Sequence, residues 1–432
     1  MIFLCFFWFA LLYFLTYKFA GSNDVFAPLK FISVKYAVFN LPFLLFTAFN
    51  PESFIKSILQ VCNVSLQDAF LQYTIVQTVA FLCLVAGVVF ANKQLGGFVK
   101  PLAPAVYNYK NIKLLALLFF AIGIGAYAVF LSRIGGLGYL LNNINKRIEL
   151  QSGQYILGLL PFLTFSTLMF MLCIKLKNKM LDKVAVIVLA CVTIFVFSSF
   201  GARKNTLVFL VTLIVAVHYL IKNIKINKKT LAISSILGVG LLLYIIIIPT
   251  LRFKDTEAKF TARNFVYQTS YTYIDVFAAN YFNSTTAWNF KGFFEPFLIP
   301  FKKQEKSKLP QIDQGVYFNA IVVNGKHYEP PMPRDEVSKT SWPAENFGTA
   351  YANLLMPGIV IFFFLQGVVF LITYNLLRRY SYNPVLIMLY LIVVFDFNFS
   401  SLRIASFIRI FPIVLLAFFA VILMANGKVK EG

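Results

Sequence analysis

VAVIVLACVTIFVFSSFGARKNTLVFLVTLIVAVHYL, residues Val184–Leu220, holds two apolar runs joined by a turn of almost no length. Each run approaches the ~20 residues that a helix rising 1.5 Å per residue needs to cross a hydrocarbon core of ~30 Å. The pattern recurs along the chain. Of its 432 residues, 59% are hydrophobic and 13% charged, with a mean hydropathy of +0.76. No soluble domain buries that much apolar surface. In lipid every backbone polar group must be satisfied internally, and continuous apolar runs do this as helices rather than as barrel strands. The expected fold is an all-α polytopic membrane protein.

Eleven candidate spans are read at 2–17, 31–49, 71–91, 113–132, 154–174, 183–200, 205–222, 230–250, 353–376, 384–399 and 404–425. The N-terminus lacks a basic leader and a small-residue cleavage site, so 2–17 is read as a retained span. The second span carries Lys35 near its start and Pro42 inside, and the tenth is short. The chain then divides into an N-terminal bundle (1–250, about eight spans), a long loop (251–352) and a C-terminal bundle (353–432, three spans).

A net charge of +22 raises the question of nucleic acid, but the cations sit in short connections. Loops 92–112, 175–182, 223–229 and 377–383 are basic and nearly free of acid, as the positive-inside rule expects of cytoplasmic loops. With no nucleic-acid module to accompany them, these lysines are topogenic. Loops 133–153, 201–204, 251–352 and 400–403 then face the opposite side. Loop 251–352 differs in composition, holding ten of the 17 acidic residues against twelve basic ones. A loop of that length carries structure or function. Within it, Arg263–Phe282 is read as an amphipathic interfacial helix, and Tyr328–Glu336 (YEPPMPRDE) as irregular.

The turn that joins the two opening runs therefore lies on the outer face, where topology asks for no cations. Arg147, Arg203, Lys204, Arg252, Arg403 and Arg409 share that side. A charge at the membrane edge is costly and marks a functional position, and guanidinium forks match phosphate oxygens. These residues are the candidate anion site, with Arg203 first among them. Lys204 either assists as a point charge or anchors to headgroups. Asp396, near the outer end of the tenth span, calls for a partner in Arg403 or Arg409, either as an ion pair or as a catalytic carboxylate. His327 is a candidate general base or an ordinary loop histidine. Glu345 and Tyr351, at the entry to the ninth span, fit a carbohydrate, whose C–H faces pack on rings, or else an aromatic interface belt.

The five cysteines form neither a disulfide framework nor a metal motif. Walker A, G-x-G-x-x-G and H-E-x-x-H sequences are absent, as is an Asp-x-Asp pair in the long loop. No metal or cofactor is expected.

Four stretches carry a family likeness: GGLGYLLNNINKRIELQSGQYILGLLPFL (Gly135–Leu163), GARKNTLVFLVTLIVAVHYLI (Gly201–Ile221), FFEPFLIPFKKQEKSKLP (Phe293–Pro310) and ENFGTAYANLLMPGIVIFFFLQG (Glu345–Gly367). In this order they resemble the Wzy-type O-antigen polymerases, which polymerise oligosaccharide repeat units. The last contains a Tyr-x-Asn-x-x-x-x-Gly entry into a late span. Thr349 stands where an acidic residue is common in that family, and Lys302–Lys303 where Pro-Arg is frequent. The resemblance implies a GT-C-like fold in the bacterial inner membrane and a periplasmic reaction. A growing glycan would pass from undecaprenyl pyrophosphate to a sugar hydroxyl of an incoming lipid-linked repeat unit. Arg203 and Arg147 match the family's external basic positions. Partners implied are lipid-linked donor and acceptor, the bilayer, a chain-length regulator and a flippase. A lipid-linked oligosaccharide flippase and an O-antigen ligase stand as alternative functions.

Overall fold

The computed structural model describes residues 1–51, 55–95, 107–146, 150–151, 153–201, 203–222, 266–267, 269–295, 307–311, 313–337 and 341–425. Its helices in chain order begin with α1 (Ile2–Lys18), α2 (Pro28–Phe49), α3 (Ile55–Cys62), α4 (Leu66–Leu95) and α5 (Tyr109–Ile134). There follow α6 (Leu137–Asn142), α7 (Pro161–Lys177), α8 (Met180–Ser199), α9 (Arg203–Ala216) and α10 (Thr272–Tyr281). The last are α11 (Gln314–Asn324), α12 (Asn346–Arg379), α13 (Pro384–Phe395) and α14 (Ser401–Ala425). Among the described residues eight helices are long and apolar enough to cross a membrane, α2, α4, α5, α7, α8, α9, α12 and α14, some extended or trimmed at their ends. The helices at Ile2–Lys18 and Pro384–Phe395 are apolar but shorter. The span expected at 230–250 lies outside the described residues. Large apolar side chains such as Leu82, Phe90, Ile187, Val188, Leu416 and Phe419 point outward, as a lipid-facing surface requires.

By packing, the chain forms two units that interleave the sequence regions. The first comprises Met1–Gly97, Thr261–Tyr374 and Asp396–Ile408, and the second Phe98–Phe260, Asn375–Phe395 and Arg409–Gly432.

In the first unit, Ser65 caps α4: its hydroxyl accepts from the Asp68 N–H at 3.1 Å and donates to the Asp68 carboxylate at 2.6 Å. Glycines let α4 and α12 approach closely. A Cβ at Gly87 would sit 2.0 Å from the Phe364 carbonyl oxygen, and one at Gly367 2.1 Å from that of Leu84. The helix expected to lie at the interface is instead α10, packed against α2, α3 and α4 with Thr272, Tyr273, Ile274 and Val276 to Ala279 buried. Its aromatics meet protein: Tyr273 and Phe277 pack edge-on against Trp342. An apolar stripe that finds helices to cover it has no need of lipid. The segment expected to be irregular contributes Met332–Pro333, which pair antiparallel with Lys308–Leu309, and then a 3-10 turn at Arg334–Glu336.

In the second unit, α5, α7 and α8 form the core around Tyr127, Phe130, Leu163, Val196, Phe197 and Phe200. Asn108 caps α5 and Gly135 ends it at φ 97°, a conformation glycine adopts without strain. The fully buried Asp182 accepts hydrogen bonds from the Tyr109 hydroxyl at 2.9 and 3.1 Å and sits 3.7 Å from Lys113 Nζ. The opening turn brings Ser198 and Thr206 hydroxyls to 3.4 Å, holding the start of α9 to the end of α8.

Candidate functional site

The Tyr-x-Asn-x-x-x-x-Gly stretch is where α12 breaks. Pro357 has no N–H to give the Asn353 carbonyl, and Leu355 leaves the helix at φ 52°, ψ −136°. Two carbonyls are thereby freed, and the preceding segment takes them. Trp288 N–H donates to Ala352 O at 2.8 Å and Asn289 N–H to Asn353 O at 3.1 Å. The buried Asn353 side chain completes the clamp. Its Oδ1 accepts from Phe290 N–H at 3.0 Å and from Gln311 Nε2 at 3.1 Å. Its Nδ2 donates to Gln311 Oε1 at 3.0 Å and to Thr349 O at 2.9 Å. Gly358 allows the bend, because a Cβ there would fall 2.2 Å from the Ala350 carbonyl oxygen. So the break in a spanning helix anchors the segment that precedes it, and the motif's Asn and Gly are the residues that permit this.

Tyr351, buried on the same turn, faces α4. Its hydroxyl accepts from Gln72 Nε2 at 3.2 Å and its ring stacks on Phe347 at 6.2 Å. It lines a cleft of about 590 Å³ together with Asp68, Gln72, Asn280, Phe282 and Leu355.

Two carboxyl groups of the same unit act on one another electrostatically. Asp275 lies on the first turn of α10 and Glu345 immediately before α12. Burial, and then the neighbouring Glu345 charge, hold the Asp275 carboxyl well above the usual carboxylate range. Asp275 was not singled out from the sequence. The signal was present as the one carboxylate in SYTYIDVFAANYF (Ser270–Phe282), an otherwise uncharged run whose residues are all buried or half-buried.

Asp396 and Arg403 are brought together, with Asp396 Oδ1 3.9 Å from Arg403 Nη1 and both partly exposed. Amides from α12 brace the turn between them: Asn346 Nδ2 donates to Gln366 Oε1 at 2.9 Å and Gln366 Nε2 to Phe397 O at 3.2 Å. Arg403 also acts on Asp313, whose carboxylate caps α11 through Gly315 N–H at 3.0 Å. Burial pushes the Asp313 pKa up, against smaller opposing pulls from Ser341, Gly315 and Arg403.

His327 is exposed, its Nδ1 3.1 Å from the Tyr281 hydroxyl and its ring stacked on that phenol at 5.9 Å. Partial desolvation lowers its pKa, opposed by Glu329. Glu329 in turn pairs with Lys291, and Glu336 with Lys326 and Tyr328; these contacts hold both glutamates below their usual range. None of these contacts joins His327 to Asp275 or Glu345.

The remaining cations belong to the second unit. Arg409 is exposed on α14, and Lys204 is half-buried in the first turn of α9, which opens at Arg203. The Arg203 side chain, Arg147 and Arg252 lie outside the described residues. Among the described residues no three His, Cys, Asp or Glu side chains gather as a metal site.

No family model, curated protein or solved structure matches the chain. What fold and site define is a polytopic helical membrane protein with a broken late span clamped to the segment that precedes it.

Proposed function

We propose that the chain is a membrane-embedded glycosyltransferase that joins undecaprenyl-pyrophosphate-linked oligosaccharide repeat units into a surface polysaccharide, on the periplasmic face of a bacterial inner membrane. The observation that carries this reading is the Arg403 guanidinium, held 3.9 Å from Asp396 at the start of α14 in the same unit as Asp275, Glu345 and the Tyr351 cleft. Glycosyl transfer needs a proton acceptor for the attacking hydroxyl and positive charge for the departing group. In the proposed step the acceptor sugar's hydroxyl oxygen bonds to the donor's anomeric carbon. The bond from that carbon to the pyrophosphate oxygen breaks, and the lipid pyrophosphate leaves with the electron pair.

Asp275 takes the hydroxyl proton, its carboxyl kept basic first by burial and then by the Glu345 charge. Arg403 is the described cation of this unit assigned to the pyrophosphate; Arg203, Lys204, Arg147, Arg252 and Arg409 are the further candidates. His327, stacked on Tyr281, is assigned to holding the extramembrane segment rather than to proton transfer. Asp396 positions Arg403. The test is Asp275→Asn in cells that depend on this chain for their polymer. Single repeat units in place of long chains, at normal protein level, are expected. Long chains of ordinary length would overturn the assignment.

A further inference from the structure

The cleft beside Tyr351 has a chemistry of its own. Gln72 spends one Nε2 proton on the Tyr351 hydroxyl, and among the described residues its Oε1 has no protein partner. Asn280 spends its Nδ2 on two carbonyls, Ala69 O at 3.1 Å and Val276 O at 2.7 Å, and its Oδ1 is left in the same state. Asp68 uses one carboxylate oxygen for the Ser65 hydroxyl and has the other to spare. The Tyr351 hydroxyl, accepting from Gln72, keeps its own proton to donate. The Ser284 hydroxyl, the Asn283 amide nitrogen and the second Gln72 Nε2 proton add donors to the same lining, so the cleft presents acceptors and donors side by side. Among the described residues no lysine or arginine lines it. Leu71, Ile75, Phe282 and Leu355 supply apolar wall between these polar groups.

Acceptors and donors set side by side call for a ligand whose groups do both, as hydroxyls do, and apolar wall interleaved with them suits the C–H faces of a sugar ring. A carboxylate with no cation beside it repels phosphate, nucleotide and uronate alike. We propose that this cleft is a subsite for uncharged sugar residues, held by Gln72, Asn280, Asp68 and Tyr351, and that it excludes acidic sugars and the lipid pyrophosphate. This rests on the transferase reading for its place in a reaction. There it assigns the cleft to neutral sugars of the glycan at a distance from the leaving group.

The test uses the full chain in lipid nanodiscs and saturation-transfer NMR. The probes are a panel of neutral tetrasaccharides built from hexoses and N-acetylhexosamines, with tetragalacturonate as the acidic member. Neutral members are expected to give transfer and tetragalacturonate none. Gln72→Leu, which removes an acceptor, and Ser284→Trp, which fills the cleft from an exposed rim position, should each weaken neutral binding by roughly tenfold, the scale of a lost polar contact or a steric block. Asp68→Asn keeps an oxygen for the Ser65 hydroxyl while removing the charge, and should admit tetragalacturonate. No transfer from any neutral member, equal transfer from the acidic one, or neutral transfer unchanged in both blocking variants would each overturn the proposal. Lipid-linked repeat units supplied to the same nanodiscs separate the two readings. A polymer ladder with no sugar transfer at the cleft sinks the subsite alone. Sugar transfer abolished by Ser284→Trp, with no ladder from wild type, sinks the transferase and keeps the subsite.

Discussion

Asn353→Ala removes the clamp at its centre. Four hydrogen bonds go with it, to Phe290 N–H, both ends of the Gln311 amide, and Thr349 O. Gln311 keeps Lys291 O and the Gln314 amide, each at 3.1 Å, so its polar atoms are not orphaned. Among the described residues the Phe290 N–H has no other partner, and it is stranded. The Thr349 bond lies within α12, so across the clamp the two Gln311 bonds are lost at about 1 kcal/mol each and the stranded, half-buried Phe290 donor costs ~1–3 kcal/mol, together roughly 3–5 kcal/mol. Hydrogen exchange followed by mass spectrometry reads this directly, on peptides covering the Trp288, Asn289 and Phe290 amides. Local opening should become about a hundredfold to a few thousandfold more frequent, with exchange faster in proportion. Tyr351→Phe is the control: it loses the single contact with Gln72, worth about 1 kcal/mol, and should leave those amides protected. Protection unchanged in Asn353→Ala would refute the idea that the broken helix holds this segment.

Three further outcomes are expected. Gly87→Ala and Gly367→Ala force a methyl into a backbone carbonyl across the α4–α12 contact and should each cost at least ~1–3 kcal/mol in thermal unfolding, whereas Gly125→Ala, with open space around it, should be neutral or slightly stabilising. The raised Asp275 pKa means the folded chain holds that proton more tightly than the unfolded one, so this contribution is full at acid pH and is lost as pH rises through the folded value. Asp275→Asn should therefore match wild type at pH ~4 and exceed it in stability at pH ~8, with the opposite order counting against burial as the cause. Arg403→Ala breaks a long, partly exposed ion pair and should change stability by less than about 1 kcal/mol while abolishing polymer formation; equal loss of folded protein would make Arg403 structural.

The membrane fold was legible because hydropathy is a local property: a run such as Val184–Phe197 announces its solvent without reference to any partner. The pairing of Asp396 with a cation of the following helix was legible for a related reason, since a carboxylate at a membrane edge needs a counter-charge close in sequence. The long connecting segment was less so. An amphipathic pattern over Thr272–Tyr281 fits a lipid surface and a protein groove equally well, and only the packing of α2, α3 and α4 decides for the groove. The Tyr-x-Asn-x-x-x-x-Gly stretch could be seen as a motif, but its work depends on Trp288, Asn289, Phe290 and Gln311, more than 40 residues upstream. Asp275 and Glu345 are 70 positions apart, and no periodicity connects them. The candidate anion site was read as one set of six cations; the structure assigns Arg403 to one packed unit and Lys204 and Arg409 to the other.

The central claim is that glycan passes from one lipid pyrophosphate carrier to another at this chain. Purified full-length protein in proteoliposomes, supplied only with undecaprenyl-pyrophosphate-linked repeat units, puts it to the test. A ladder of products spaced by one repeat unit, formed without nucleotide and lost in both Asp275→Asn and Arg403→Ala, is the predicted result. Repeat units that cross the bilayer or remain in place, with no product longer than a single unit, would contradict it.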